Sequence, residues 1–254
     1  MFSPRRSPFS ISEPETQGHK MEPIKTEEVR FIDQLFAILR EEKFRDPLFD
    51  AVRKGTISRE ALKLWILQAS LVVRQFTRFI SAIHANCPHR DAQQLLAENL
   101  WEEHGKGITS RDHYSLIRKM ARSLGATDRD LDDAQPLKET GEYINHCLKV
   151  TRELSFVESM TAIAVGIEIF MPAFFGTLGE SLCSNYGLTR GDVDYLLVHV
   201  AEDEMHSRRA LALVESYADT REVQEKAKRA LREMLLVKRR FALAVYNRAE
   251  EETE

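Results

Sequence analysis

Cysteine is scarce in this sequence and poorly placed for chemistry. The three present, Cys87, Cys147 and Cys183, are odd in number and far apart. That excludes a disulfide framework and any CxxC metal or redox motif, and it points to a reducing, cytoplasmic setting. Basic excess is missing too. The 254-residue chain has a formal net charge of -4 and a pI near 6.1, which is no footprint for a nucleic-acid partner. No uninterrupted apolar run reaches the roughly 18 residues of a membrane span. The longest candidate, MTAIAVGIEIFMPAFFG over 160–176, is interrupted by Glu168 and Pro172. Neither nucleic acid nor membrane is therefore expected as a partner. A G-x-G-x-x-G fingerprint after a strand is absent, so no flavin or nicotinamide site is expected. The polar start, MFSPRRSPFSISEPETQGHK, lacks the apolar stretch of a secretory signal, and residues 1–24 read as a flexible tail.

What remains is helix. With 43% hydrophobic and 30% charged residues, the chain can bury a substantial core. In VRFIDQLFAIL (29–39) the apolar residues recur at i, i+3, i+4 spacing. A helix over RDPLFDAVRKG should end at Gly55. A longer one should start after Ser58 as N-cap and stop near Cys87, before Pro88. DAQQLLAENLWEEHG runs to Gly105. Thr109 and Asp112 have capping-box spacing and predict a helix from about Ser110 to Leu124. GATDRDLDDAQP reads as a loop or short turn. The apolar stretch ELSFVESMTAIAVGIEIFMPAFFGTLGESL reads as one long helix kinked at Pro172. Thr189 and Asp192 repeat the capping spacing before DVDYLLVHVAEDEMHSRRALALVESYA, and a last helix covers roughly 221–249. The expectation is an all-α, single-domain bundle of about eight helices over residues 25–250.

Polar residues inside these helices carry the chemistry. In HVAEDEMH (199–206), His199, Asp203 and His206 project within a sector of about 60°. Apolar Leu196 lies at the edge of that sector, so the face reads as inward. A buried carboxylate between two imidazoles is costly unless something satisfies it, and a divalent metal does; a hydrogen-bonded His–Asp–His cluster is the plain alternative. Glu168 stands alone, with no other charged residue from Thr161 to Thr177. It would need protonation, an arginine or a metal. In ENLWEEHGKGITSRDH (98–113), Glu98, Glu102, Glu103, His104 and His113 are all available, and composition does not choose among them. Two Glu-x-x-His motifs, the usual ferritin-like signature, are absent.

The spacing Glu103-x9-His113, then Glu168, then His199-x3-Asp203-x2-His206 resembles the haem-oxygenase-like diiron oxidases and oxygenases. Those enzymes include N-oxygenases, fatty-acid decarboxylating oxidases and self-sacrificing para-aminobenzoate-forming enzymes. The likeness extends through FTRFISAIHANCPHRDAQQLLAENLWEEHG and covers roughly residues 30–218. It implies a haem-oxygenase-like fold and a metal site made of Glu103, His113, Glu168, His199, Asp203 and His206. It implies two Fe(II)/Fe(III) ions, O₂ as co-substrate, an external electron donor, and a peroxo-diferric route to oxidation of a small amino-acid-derived or fatty-acid-like substrate. On that reading one iron takes His113 and His206, the other takes Glu168, His199 and Asp203, and Glu103 bridges. Phe170, Met171, Phe174 and Phe175 would line an apolar pocket, and Arg74 and Arg78 could hold a substrate carboxylate. The resemblance also implies a homodimer.

Departures matter. The para-aminobenzoate-forming branch sacrifices a tyrosine beside its metals, yet Phe49 stands where its counterpart should fall, and no lysine occupies the ten residues after Glu168. That disfavours the branch. No acidic residue near Thr77 supplies the extra carboxylate of some N-oxygenating relatives. Competing readings are a metal-free TenA/PqqC-like enzyme, which as a thiaminase would need an activated cysteine, and a non-catalytic helical interaction protein.

Overall fold

The structure is a computed structural model that describes residues 29–41 and 46–251, the side chains of 201–205 excepted. The expected tail, 1–24, lies outside the described residues. Among these there are eleven α-helices and no strand. The count exceeds the expected eight because short capped turns form helices of their own.

Local rules place most boundaries. Helix α1 is Phe31–Glu41. Helix α2, Pro47–Lys54, starts on Asp46, whose side chain accepts from the Leu48 and Phe49 amides, and it ends at left-handed Gly55. Helix α3 is Arg59–Asn86, with Ser58 accepting from the Ala61 amide as expected. Helix α4 is Arg90–Glu103. The next start differs from expectation. Thr109–Arg111 forms only a 3-10 turn, and Asp112, not Thr109, caps α5 (His113–Ser123) by accepting from the Ser115 amide. The presumed loop over 125–136 contains α6, Asp128–Asp132, under a reciprocal Thr127/Asp130 capping box. Helix α7 is Lys138–Glu153.

The apolar stretch is not one helix kinked at Pro172. It is α8 (Phe156–Met160), a π-helical segment Thr161–Val165, a 3-10 turn Glu168–Phe170, and α9 (Met171–Tyr186). Proline sits in the first turn of α9, where its missing N–H costs nothing. The break falls upstream, around Gly166. A Cβ there would lie 2.4 Å from the Ala162 carbonyl oxygen and 3.0 Å from Met234 of the last helix. By length and composition Phe156–Tyr186 could cross a membrane, but half of its most apolar window is buried, and it packs against the last two helices as part of the core. Those are α10, Asp194–Tyr217, and α11, Arg221–Glu251. Thr189 and Asp192 make their reciprocal bonds one turn before α10 begins.

Two buried clusters form the interior. One joins α1, the C-terminal half of α3, α7, α8 and the first half of α11; the other joins α2, the N-terminal half of α3, α5, α9 and the end of α11. Phe241 packs against both. Between them the structure leaves a cavity of about 440 Å³.

Candidate metal centre

Helices α4 and α10 deliver Glu103, His199 and His206 to this cavity, and α5 places His113 against the first two. Gly105 makes the geometry possible. Its φ is +70°, and a Cβ there would lie 2.5 Å from the Asp112 amide nitrogen and 2.6 Å from the Arg111 carbonyl carbon. Only glycine combines that close approach with a left-handed backbone. The chain therefore doubles back within ten residues, and His113, first residue of α5, returns against Glu103, last residue of α4. His113 Nδ1 lies 2.8 Å from Glu103 Oε2, both side chains almost fully buried.

His199 completes the group. Its ring centroid is 4.3 Å from that of His113, and the ligand atoms of Glu103, His113 and His199 all lie within 4.8 Å of one another. His199 Nδ1 is 2.7 Å from the Tyr195 carbonyl oxygen. A carbonyl can only accept, so Nδ1 donates and Nε2 carries the lone pair, the arrangement that orients a metal-binding imidazole.

Glu168 also lines the cavity. Burial pushes its carboxyl up to about 7, and the Glu103 charge pushes the same way. His206 faces Glu102: its Nε2 lies 2.5 Å from Glu102 Oε2, a contact without hydrogen-bond geometry. Adjacent positions on α4 thus serve two histidines. Glu98 is exposed and pairs with Arg209 at 3.1 Å, and His104 is exposed at the C-cap of α4. The structure brings His113, His199 and Glu103 together and places Glu102 beside His206. Asp203 lies on α10, and its side chain falls outside the described residues.

These donors fit a metal. Two carboxylates, Glu103 and Glu168, line one apolar cavity beside imidazoles; a proton on Glu168 relieves their repulsion in the metal-free chain, and a bound cation relieves it with both carboxylates ionised. The mixed imidazole and carboxylate set suits iron.

The apolar wall matches expectation in Phe170, Met171, Phe174 and Phe175, all of which line the cavity. Phe49 stacks on Phe174, centroids 4.5 Å apart. Arg74 and Arg78 do not line it. Both are exposed, and Arg78 donates to Gln75 Oε1 at 2.6 Å. Their face of α3 points to solvent. The cations that do line the cavity are Lys238 and Arg239, and two tyrosines missed in the sequence, Tyr143 and Tyr195, line it as well. The Tyr195 ring is 4.6 Å from that of His199. All three cysteines are free thiols. Cys147 is fully buried, and burial pushes its thiol to about 12, far from the activated state a thiol nucleophile needs.

Comparison with known proteins gives the family and the fold. The family model of iron-containing redox enzymes matches residues 63–238, more than half of the chain. The chain belongs to that family. Two relatives are each named 4-aminobenzoate synthase. The one from Nitrosomonas europaea is 27% identical over 197 residues, covering 73% of this chain and 78% of the relative. The one from Chlamydia muridarum is 25% identical over 213 residues, covering 83% and 88%. Among solved structures, a TenA homologue from Pseudomonas syringae pv. tomato superimposes with a TM-score of 0.75 at 16% identity, covering 85% of this chain and 93% of that one. A domain of unknown function with a heme oxygenase-like fold from Shewanella denitrificans gives 0.71 at 13%, covering 88% and 92%. The fold is thus the haem-oxygenase-like all-α bundle.

Proposed function

We propose that this chain is an O₂-activating non-haem diiron oxidase or oxygenase acting on a small organic substrate. One observation carries the reading: the ligand atoms of Glu103, His113 and His199 converge within 4.8 Å in a buried site, with the Glu103 charge acting on Glu168 and the Glu102–His206 pair beside it on α4 and α10. Glu103, His113, Glu168, His199, Asp203 and His206 would hold two irons, with Glu102 as a further carboxylate. Bound iron would supply the electrons and Lewis acidity that O₂ reduction needs, and an external reductant would restore them.

The chain's own contribution is positional. The Tyr195 carbonyl fixes the tautomer of His199. Glu168 holds a proton near neutral pH and gives it up when a cation arrives. Phe174, Phe175 and Met171 keep water from the reacting centre. Oxidative C–C cleavage, desaturation and N-oxygenation in specialised biosynthesis are all chemistries such a site performs. A cytoplasmic homodimer is the proposed working form.

The test is to add Fe(II) anaerobically and then admit oxygen. A transient visible absorption is expected; His206→Ala should abolish it and Cys147→Ala should leave it intact. Two bound irons with no oxygen-dependent band would contradict the proposal.

A second reading follows the relatives' name, 4-aminobenzoate synthase. Tyrosine is absent at Phe49, but Tyr143 and Tyr195 line the cavity from other helices, and Lys238 stands there too. On this reading the chain consumes one of its own tyrosines. Intact-mass and peptide analysis after aerobic reaction separates the two. A mass change on the Tyr143 or Tyr195 peptide favours self-sacrifice; an unchanged chain that turns over an added substrate favours the first.

A further inference from the structure

Lys238 has no role in holding the metals, and its placement calls for a partner. It sits on α11 in the stripe Leu231, Met234, Lys238, Phe241, Val245, every other member of which packs into the core. Its side chain lines the cavity. The ammonium donates to the carbonyls of Gly166 and Ile167, each at 3.3 Å. These are the groups left over where the helix breaks before Glu168. Two facts show that they do not complete its environment. Both contacts are long for a charged donor, whose bonds usually measure about 2.7–2.9 Å. Carbonyls are also dipoles and bring no counter-charge.

The anion acting on Lys238 is Asp46, which favours the charged ammonium through space. Among the described residues no carboxylate lies within ion-pair distance of it. Asp46 is already engaged as the N-cap of α2, accepting from Leu48 and Phe49. An ammonium in an apolar cavity, with a third N–H to satisfy, is stabilised most by an anionic group on a ligand. Besides the metal-site residues, Arg239 and the polar side chains of Asp46, Asn99 and Tyr143, the wall is apolar and largely aromatic, with Trp65, Phe76, Phe174 and Phe175. Phe170 is 45% exposed and Arg239 is exposed, and both line the same cavity, which marks its mouth beside α11.

We propose that Lys238 anchors the carboxylate of an apolar, aryl-bearing monocarboxylic acid, whose apolar body fills the cavity and reaches the Glu103–His199 cluster. This assigns the substrate class of the site and replaces Arg74 and Arg78 as the carboxylate anchor. It rests on the oxidase reading for what happens to the ligand, but not for its binding.

The experiment is calorimetric titration of the full chain, with and without anaerobic Fe(II), using 6-phenylhexanoate and its neutral counterpart 6-phenylhexan-1-ol. The acid should bind at least about tenfold more tightly than the alcohol. Lys238→Met, of similar length and volume, should remove that preference while leaving alcohol binding within about twofold. Retained alcohol binding reports an intact cavity. Equal binding of acid and alcohol to the wild-type chain overturns the proposal, as does binding of neither. A variant that loses both ligands alike overturns it too, since Lys238 would then only shape the helix break. Acid preference that depends on Lys238 in a chain showing no oxygen chemistry upholds the anchor and removes the oxidase reading.

Discussion

The two polar regions of the cavity are built in opposite ways. The region at α4, α5 and α10 gathers carboxylates and imidazoles; the region at α11 presents the Lys238 ammonium, with Asp46 acting on it and Arg239 at the mouth. Burial acts on both and moves them towards neutrality from opposite sides. It raises the Glu168 carboxyl to about 7 and lowers the Lys238 ammonium to about 8. The same apolar wall therefore makes one region demand a cation and the other an anion. The difference teaches that a hydrophobic cavity selects ligands by the charges it leaves uncompensated as much as by its shape.

The sharpest way to break the comparison is to remove a ligand from the acidic region. His199→Ala or Glu103→Ala should weaken Fe(II) binding by ~10³-fold, more than loss of a supporting hydrogen bond would cost. Equilibrium dialysis against an iron chelator measures it, and Lys238→Met should leave that affinity within a few-fold.

Next in size is a pH signature of the metal-free chain. The folded pKa of Glu168 lies above its ordinary 4.5, so the folded state binds the extra proton and stability falls as pH rises from about 4.5 to 7. The folded pKa of Lys238 lies below its ordinary 10.5, so stability returns as pH rises from about 8 to 10.5. Each shift corresponds to roughly 3 kcal/mol or slightly more. Urea denaturation should show a trough between about pH 7 and 8. Glu168→Gln should flatten its acidic side and Lys238→Met its alkaline side; a variant that flattens the wrong side would contradict the assignment.

The smallest effect is local. Asp112→Ala removes the N-cap of α5 and should cost about 1 kcal/mol, read as a shift in the urea midpoint. Because His113 is the next residue, iron binding should weaken with it.

Legibility in the sequence followed the range of the interaction. Ser58 and Gly55 mark helix ends through bonds within four residues, and such ends were readable. The face shared by His199 and His206 follows from helical period alone, and Glu168 stood out as a single charge in an apolar run. Neighbours in space were harder. Glu102 and Glu103 are adjacent, and only the doubling back at Gly105 decides which meets His113. Pro172 looked like a kink because the π-helical segment before it has no sequence mark beyond Gly166. Lys238 was hidden in VKRRF, which reads as a solvated charge run. The signal was there, however: a lysine at helical spacing between Met234 and Phe241 interrupts a stripe of buried residues.

The most direct measurement is anomalous diffraction at the iron edge from crystals of the anaerobically loaded chain. The account predicts two iron peaks about 4 Å apart, among Glu103, His113, Glu168, His199 and His206. A single peak, or iron bound away from these side chains, would contradict it.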